Sequence, residues 1–422
     1  MNILHINTSA DQGGAAKAMQ RLHQGLRQSG QQSQILAKYK TKDDRNVFLV
    51  NEVVRDFWNI ARRKKEGLFR LLDKHTGLFY WFYSSTFLLA QTEIFKQSDI
   101  INFHNLHGSY FNLLAIPLLS EKKPIVWTLH DMWPLTGHCT YSYDCQRWIK
   151  GCFKCPLLRD RRLKLEYPPA TVMDLTKNIW QAKQNIYKKS NLHIITPSSW
   201  MQSLVKESIL NKSILIEHIP WGIDLEKFYP VGKKQARQML GIAEDKKVVI
   251  FVSESLSQYR KGASFLVSAL ERLQNEFSIC LLLIGSGAVT VSNLEKISLK
   301  KFDYVDSEDL LRLFYSAADV LALPTLADNQ PLVLIEAMAC GTPAVAFDIG
   351  GIHEIIKHMD NGYLAAYKEI EALAAGIKLL LKDENLSARL SMRCRQTAER
   401  DYSLQLQTRR YLSFYESVKR HN

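Results

Sequence analysis

Residues 328–351 read DNQPLVLIEAMACGTPAVAFDIGG, and this is the most informative stretch of the chain. An apolar run at 320–324 predicts a strand that ends in a loop carrying Asp328, and a short helix with Glu336 follows. Another apolar run then leads into a Gly-Gly turn. Ligands of open α/β sheets bind at the carboxyl ends of strands, beside helix N-termini. The stretch therefore predicts a ligand site in which N–H groups suit phosphate and carboxylates suit sugar hydroxyls.

On both sides of this stretch, short apolar runs alternate with helical periods, which is typical of parallel sheets covered by helices on both faces. The predicted strands are 2–7, 33–38, 100–104, 125–128, 193–196, 214–219, 247–253, 279–285, 302–305, 320–324 and 344–347. The predicted helices include 15–29, 262–276, 307–317 and 332–339. The fold class is therefore α/β.

A break between two such α/β patterns lies at 219–230, where two prolines and a glycine fall within twelve residues. A run of this composition is typical of a domain junction. The length of 422 residues also favours two domains over one. We predict an N-terminal domain at 1–218 and a C-terminal domain at 219–404.

Composition excludes several classes of protein. A hydrophobic content of 46% excludes a disordered chain. No apolar run reaches the roughly 18 residues that a membrane-spanning helix needs. Because the chain starts on a strand at 2–7 without a basic and apolar leader, we expect a cytoplasmic protein.

The formal net charge of +13 is confined to one half of the chain. Residues 1–220 carry 30 Lys and Arg against 17 Asp and Glu, whereas 221–422 carry 25 of each kind. A basic half indicates an anionic partner such as nucleic acid, acidic lipid or a phosphate-bearing substrate, or simply a basic surface. The cluster at 62–65, with aromatic residues at 77–83, favours an anionic membrane surface, although those aromatics equally suit a core or an acceptor groove.

Two further segments suit phosphate. Gly13 and Gly14 follow the first strand and open a helix, where glycine lets backbone amides approach a ligand closely. Arg260 and Lys261 follow the first strand of the second half, and two cations beside a helix N-terminus fit a pyrophosphate. Taken alone, each segment is also consistent with an ordinary turn.

Two histidines follow first-half strands. His130 stands in the string Trp-Thr-Leu-His-Asp, and His104 stands in Asn-Phe-His-Asn. A histidine at such a strand end can exchange a proton near neutral pH, although a lone histidine is more often structural. His130 is the first candidate for catalysis and His104 the second.

Four of the seven cysteines, together with His138, fall within 137–156. In a cytosolic chain such clustering favours a metal over disulfides, and four thiolates suit a closed structural zinc site. Reduced or redox-labile thiols are the alternative, and His138 could replace one ligand. The candidate ligands are Cys139, Cys145, Cys152 and Cys155.

The segment from Asp328 to Pro343 resembles the donor-site motif of family-4 glycosyltransferases. That motif is an acid, seven residues of any type and a Glu, here Glu336, followed by Ala-Met-Ala-x-Gly-x-Pro. The family usually has Glu where this chain has Asp328. The segment 131–156 is similar to a subgroup from bacterial exopolysaccharide clusters, the colanic-acid type. The resemblance implies two facing Rossmann-like domains, the GT-B fold, with an interdomain cleft. It also implies that a terminal helix, 405–422, packs back on the first domain.

The resemblance further implies retaining transfer of a sugar from a nucleotide-sugar donor to a glycan or lipid-linked acceptor. Glu336 would bind the donor ribose. Asp328 and His130 would be the catalytic residues: Asp328 would bind the sugar hydroxyls, and His130 would orient or deprotonate the acceptor. No cofactor is expected for catalysis, because the chain lacks the Asp-x-Asp string that holds a divalent ion in other glycosyltransferases. The remaining donor-site residues implied are Gly13, Gly14, Arg260, Lys261, Asn329, Gln330, Pro331, Leu332 and Val333.

Two other functions stay open on the sequence alone. One is a different reaction on the same fold, catalysed by a phosphorylase or an epimerase. The other is a zinc-stabilised nucleic-acid-binding protein, suggested by the basic half and the cysteines, although no nucleic-acid module string is present. The expected partners are therefore a nucleotide sugar, an acceptor and an anionic membrane surface, with no nucleic acid.

Overall fold

The computed structural model describes residues 1–54, 81, 83–163, 171 and 173–421. The chain forms two compact units, Met1–Pro220 with Gln407–Asn422, and Trp221–Leu406. Each unit is built on its own parallel sheet, as the alternation of strands and helices predicts. The α/β fold class is therefore confirmed.

The sheet of the first unit contains, within the described residues, seven parallel strands in the order β3-β2-β1-β4-β5-β6-β7. Its central strands are buried on both faces, because helices cover both sides of a parallel sheet. The strands are β1 Asn2–Ser9, β2 Gln32–Tyr39, β3 Val47–Leu49, β4 Ile100–Phe103, β5 Ile125–Thr128, β6 Leu192–Thr196 and β7 Leu215–His218.

The first helix of this unit buries one apolar stripe. In the first helix, Ala18, Leu22 and Leu26 are buried at a spacing of four residues, which places them on one face. The α-helices described are α1 Gly14–Gln28, α2 Val50–Val53, α3 Glu93–Lys96, α4 Ile116–Lys122, α5 Thr176–Tyr187 and α6 Ser199–Glu207. Short 3₁₀ segments lie at Ser84–Gln91, Leu113–Ala115, Arg147–Ile149, Leu157–Arg159 and Arg161–Leu163.

The C-terminal helix of the chain completes the first unit. It runs from Leu404 to His421, and its Tyr411 and Tyr415 join the apolar cluster formed around α1 and the sheet. Asn102 of β4 donates to the Tyr415 hydroxyl at 2.8 Å, and Thr128 of β5 donates to the Asn102 side-chain oxygen at 3.0 Å. Buried polar side chains in central strands are thereby hydrogen-bonded, as burial requires.

The second sheet contains, within the described part of the chain, six parallel strands in the order β10-β9-β8-β11-β12-β13. The predicted strand at 302–305 is wrong, because the structure places this strand at Ser298–Phe302. It is an edge strand with two lysines, and such charged edges lack the apolar pattern of central strands. The strands are β8 Lys247–Ser255, β9 Ile279–Ser286, β10 Ser298–Phe302, β11 Val320–Leu323, β12 Ala344–Phe347 and β13 Gly362–Ala365.

The three helices predicted in the second unit begin and end close to the predicted residues. Ser307 caps one of them, since its hydroxyl accepts the Leu310 N–H at 3.3 Å. The α-helices are α7 Lys233–Met239, α8 Ala263–Leu273, α9 Glu308–Ala317, α10 Leu332–Ala339, α11 Ile352–Ile355, α12 Ile370–Lys382 and α13 Glu384–Asp401, followed by α14 Leu404–His421, and a 3₁₀ turn lies at Tyr259–Lys261. Across the residues described, no helix combines the length and the apolar character needed to cross a membrane.

Each sheet has one point at which the strand order reverses. In the first sheet β1 and β4 are neighbours, and in the second sheet β8 and β11 are neighbours, although neither pair is consecutive in the chain. The loops after these strands leave in opposite directions and open a crevice at the carboxyl edge of the sheet. These two places are therefore where ligand-binding residues are expected.

Candidate functional sites

The reversal point of the second sheet brings two cations and one carboxylate together. Arg260 and Lys261 follow β8, and Asp328 follows β11. Lys261 Nζ lies 2.9 Å and Arg260 Nη1 lies 3.3 Å from Asp328 Oδ2. The structure thus joins three residues that the sequence predicted separately for one site.

The electrostatics of this group follow from its burial. Asp328 is 7% exposed, and burial alone would raise its pKa. The charges of Lys261 and Arg260 outweigh that effect and hold the pKa of Asp328 below its ordinary value. The carboxylate is therefore ionised at neutral pH, and the two cations share one negative charge between them.

Two glycines allow the backbone to close around this group. Gly262 has φ +75°, and a Cβ there would lie 1.8 Å from the Pro324 carbonyl oxygen. Gly350 has φ +61°, and a Cβ there would lie 2.0 Å from the Asp328 carbonyl oxygen. Only glycine combines a positive φ with so close an approach. The Gly-Gly turn at the end of the quoted stretch therefore supports the Asp328 loop.

Glu336 lies in α10 and is 3% exposed. Its Oε2 accepts a hydrogen bond of 2.7 Å from the Tyr315 hydroxyl of α9, and Thr342 Oγ1 donates to the Tyr315 carbonyl at 2.6 Å. The carboxylate is thus held at a fixed position on the helix that follows the Asp328 loop. Tyr315 is a partner that the sequence did not indicate.

The residues between Asp328 and α10 are mostly buried and ordered by backbone contacts. The Asn329 N–H donates to Asp328 Oδ1 at 3.1 Å, and Gln330 Oε1 accepts the Trp221 N–H at 2.6 Å. Pro331 precedes α10, whose first residues are Leu332 and Val333. The Gln330 side chain therefore already has a structural partner. The predicted contribution of segment 329–333 to a ligand site is then its backbone.

In the first unit the predicted glycines open α1 at the end of β1. Gly13 has φ +88° and precedes the first helical residue, Gly14. A Cβ on Gly14 would meet nothing within 4 Å. The positive φ at position 13 therefore favours glycine. At position 14 there is open space beside the backbone, so a side chain would fit there.

Three histidines form a hydrogen-bonded chain across the reversal point of this sheet. His5 Nδ1 lies 3.0 Å from His104 Nε2, and His104 Nδ1 lies 2.8 Å from His130 Nε2. Both predicted histidines are therefore joined to one another and to His5 inside β1, a residue that the sequence pattern did not indicate. His5 lies one strand away from His104 because β1 and β4 are neighbours.

Burial keeps these imidazoles neutral. It lowers the pKa of His5 to about 3 and that of His130 to about 4, and it lowers the pKa of His104 well below its ordinary value. Asp131 acts against this effect at His130, but its carboxylate is also hydrogen-bonded by His107 Nε2 at 3.0 Å. The first site is thus polar and uncharged along its histidine chain.

The four clustered cysteines lie in loops beside α5. The Gly137 N–H donates to Cys152 Sγ at 3.1 Å, and the Cys155 N–H donates to Asp174 at 2.7 Å. Burial raises the pKa of Cys152 to about 11 and that of Cys139 well above its ordinary value. Among the described residues, no three His, Cys, Asp or Glu side chains are placed to hold a metal ion as they stand. The structural zinc site with Cys139, Cys145, Cys152 and Cys155 stays a prediction.

Comparison with known proteins adds the family. Residues 12–227, about half of the chain, match the family described as Glycosyltransferase Family 4. The chain belongs to glycosyltransferase family 4. Residues 246–383 match the family described as Glycosyl transferases group 1. The resemblance that rested on the quoted motif is confirmed, and it decides for a glycosyltransferase over a nucleic-acid-binding protein.

Among curated relatives of this glycosyltransferase is the putative colanic acid biosynthesis glycosyl transferase WcaC of Escherichia coli. It is 24% identical over 99% of this chain and 100% of its own length. Among solved structures, sucrose-phosphate synthase from Thermosynechococcus elongatus aligns with a TM-score of 0.68 at 17% identity over 100% of both chains. HepE from Anabaena, solved with UDP-glucose, aligns with a TM-score of 0.64 at 16% identity over 99% of this chain and 100% of its own. These structures confirm the GT-B-like fold.

Proposed function

We propose that this glycosyltransferase moves a sugar from a nucleotide-sugar donor to a glycan or lipid-linked acceptor, with retention at the anomeric carbon, in bacterial exopolysaccharide biosynthesis. The observation that carries the proposal is the group of Lys261, Arg260 and Asp328 at the reversal point of the second sheet, followed along the chain by Glu336 in α10. The name of the WcaC relative and the UDP-glucose bound to HepE support the biosynthetic role and the class of donor.

The donor diphosphate would bind the two cations of this group. Lys261 and Arg260 now share one carboxylate, and a diphosphate with two or more charges competes with Asp328 for them. Asp328 then accepts hydrogen bonds from sugar hydroxyls, and the backbone of 329–333 lines the sugar pocket. As the bond to the sugar breaks, charge grows on the leaving phosphate, where preorganised cations stabilise it most.

The ribose of the donor would be bound by Glu336. A carboxylate suits this role because it accepts two hydrogen bonds from neighbouring hydroxyls. The bond from Tyr315 uses Oε2 and fixes the rotamer of the side chain before the donor arrives. Fixing a binding group in advance reduces the entropy that binding must overcome.

The acceptor would meet the first unit. His130 would orient or deprotonate the acceptor hydroxyl, and Gly13 with Gly14 would bring backbone N–H groups to the donor. A lipid-linked acceptor would place the enzyme at the cytoplasmic face of a membrane, which agrees with the basic excess of residues 1–220. The cluster 62–65 lies outside the described residues.

Glu336→Gln tests the donor site. The variant should weaken nucleotide-sugar binding by about 1.5–3 kcal/mol, because a hydrogen bond to a charged group is lost. Isothermal titration calorimetry with a panel of nucleotide sugars measures the change and identifies the donor. Glu384→Gln, an exposed carboxylate paired with Lys247, is the matched control and should bind as the wild type does. Unchanged affinity in a folded Glu336→Gln protein would exclude this role for Glu336.

A structural zinc ion would join the four cysteines of the first unit. Its support is their clustering and the N–H groups that point at sulfur, as the Gly137 N–H does at Cys152. Zinc would require the thiols to lose their protons and move together, so binding would also stabilise the fold. We expect about one zinc per chain in protein prepared without chelators, and a chelator should lower the melting temperature. Metal analysis that finds none would leave the reduced thiols.

A further inference from the structure

The histidine chain His5–His104–His130 has only two possible arrangements of its protons. A neutral imidazole has one N–H donor and one acceptor nitrogen. Either every member carries its proton on Nδ1 and donates toward His130, or every member carries it on Nε2 and donates toward His5. The two arrangements give His130 opposite chemical roles.

The buried end of the chain decides between the arrangements. His5 is 0% exposed, and its Nε2 has no hydrogen-bond partner among the residues that the structure describes. The Nε2–H arrangement would place an N–H donor at this position with nothing to accept its hydrogen. Orphaned buried N–H groups are rare, because they lose the full hydration of the donor. The Nδ1–H arrangement leaves only a lone pair there.

His104, in the middle of the histidine chain, is held firmly enough to transmit the tautomer preference of His5 to His130. The His104 carbonyl accepts the Trp127 indole N–H at 2.9 Å, and the His104 N–H donates to the Ile6 carbonyl at 2.9 Å. Both hydrogen bonds fix the backbone of His104 between β1 and β5. His104 is 1% exposed, whereas His130 is only half-buried. The chain therefore runs from a closed interior to the carboxyl edge of the sheet.

We propose that His5 and His104 are positioning residues that fix His130 as a neutral imidazole with its proton on Nδ1. His130 then donates a hydrogen bond to the acceptor hydroxyl oxygen and does not remove its proton; as the bond from sugar to diphosphate breaks, that proton passes to an oxygen of the leaving diphosphate. This inference rests on the proposed function, because it chooses between the two roles that the function leaves open for His130.

Proton uptake by His130 is opposed by the same chain. If His130 took up a proton and the histidine chain passed it inward, the positive charge would end as an imidazolium at His5. His5 lies in the buried interior, and its ring centroid is 6.4 Å from that of His23. Desolvation strongly disfavours a charge there. Among the described residues, the charged and titratable groups that face His130 include Asp131, His107 and His104. Of these, the Asp131 carboxylate favours a cation at His130, but burial outweighs it.

Nitrogen NMR of the full chain labelled with ¹⁵N-histidine tests the proposal directly, since the two imidazole tautomers give distinct ¹⁵N shifts. At neutral pH, His5, His104 and His130 should all show the Nδ1–H tautomer, which is the minor form of free histidine. An Nε2–H tautomer at His104 or His130, or a cation at any of the three, would overturn the proposal. This result does not depend on enzymatic activity or on any variant.

Two variants of His5 then separate positioning from simple packing. His5→Asn keeps an N–H donor near the place of Nδ1, and His130 should keep its tautomer. His5→Asp replaces the donor by an acceptor, so His104 and His130 should change to the Nε2–H tautomer, and kcat should fall about tenfold with donor affinity unchanged. His193→Leu, which removes a buried histidine outside the chain, should leave the His130 spectrum as it is. An unchanged His130 tautomer in His5→Asp contradicts the inference. Normal activity of His130→Ala with the expected tautomers would instead refute the proposed role of His130 alone.

Discussion

The reversal points of the two sheets have the same topology, but one carries charged side chains and the other carries neutral ones. In the second unit, the loops after β8 and β11 bring Lys261 and Arg260 against Asp328, so the site is built from full charges. In the first unit, β1 and the segments after β4 and β5 bring together three imidazoles that burial keeps neutral. One architecture therefore provides two chemically different edges.

This difference matches the two tasks that a glycosyltransferase must perform. A diphosphate is recognised by fixed cations, which also stabilise the charge that develops when the sugar leaves. A hydroxyl acceptor is uncharged, and a neutral hydrogen-bonding group orients it without attracting competing anions. The parallel sheet supplies the place in both units, whereas the residues that follow its strands supply the chemistry.

The charged site is tested first, because it should give the largest effect. Lys261→Met removes the ammonium group that lies 2.9 Å from Asp328 and keeps the length of the side chain. We expect kcat/KM for sugar transfer to fall about 10²–10³-fold, as when one preorganised charge-stabilising group is lost elsewhere. Steady-state kinetics with the donor found by calorimetry measures this loss.

The control for Lys261→Met is Lys233→Met, which breaks a lysine–aspartate pair of 2.8 Å in the same unit but away from the reversal point. It should change kcat/KM little, because an exposed ion pair contributes about 0–1 kcal/mol to stability. Equal activity of the two variants would contradict the comparison, since the charges of the second site would then have no special role.

The second site was largely predictable from the sequence, because its signals are local. The acid of the loop, the acid of the helix and the small residues between them all lie within 328–351. Lys261 was found from its place after a predicted strand. What the sequence could not provide are contacts between distant segments, such as Tyr315 with Glu336 or Gly350 with the Asp328 carbonyl.

The first site was less predictable for a physical reason. His5 lies inside β1 and reads as an ordinary buried residue until the strand order places β4 beside it. Strand order and register depend on the packing of the whole sheet, and local periodicity does not encode them. The strands that were missed or misplaced, Val47–Leu49, Ser298–Phe302 and Gly362–Ala365, have a different reason: all three lie at the edges of their sheets, where strands lack the apolar pattern of central strands.

The pH dependence of stability sharpens the comparison between the sites. Burial lowers the folded-state pKa of His5 to about 3 and of His130 to about 4, below the ordinary value of 6.5. As the pH falls below 6.5, the unfolded chain binds protons that the folded chain does not, so the free energy of unfolding decreases. The decrease is about 1.4 kcal/mol per pH unit for each such imidazole until the folded pKa is reached. Asp328, whose folded pKa lies below its ordinary 3.8, adds a loss only at still lower pH.

Urea unfolding at about pH 7 and about pH 5 measures this effect. His5→Leu should reduce the dependence on pH, because one buried imidazole no longer distinguishes the folded from the unfolded state. Replacement of Met392, which is 62% exposed and does not titrate, by Leu should leave the dependence unchanged. An identical slope in wild type and His5→Leu would show that the interior histidines are not held neutral.

The smallest effect concerns the charge outside the sites. Residues 1–220 carry the whole net positive charge. Because the buried histidine chain of that half is neutral, the positive charge comes from its Lys and Arg side chains. If the acceptor is lipid-linked, the cations of 62–65 should each contribute about 1 kcal/mol to binding at an anionic membrane surface. Sedimentation with anionic vesicles should show binding that weakens with salt and weakens again when these four residues become Ser.

The matched control replaces Lys233, Lys234, Lys246 and Lys247 by Ser, which changes the net charge equally within the second half. Only the first set should reduce binding. Equal partition of the wild type onto neutral and anionic vesicles would instead favour a soluble acceptor, because a membrane-bound substrate would then have no electrostatic means of recruiting the enzyme.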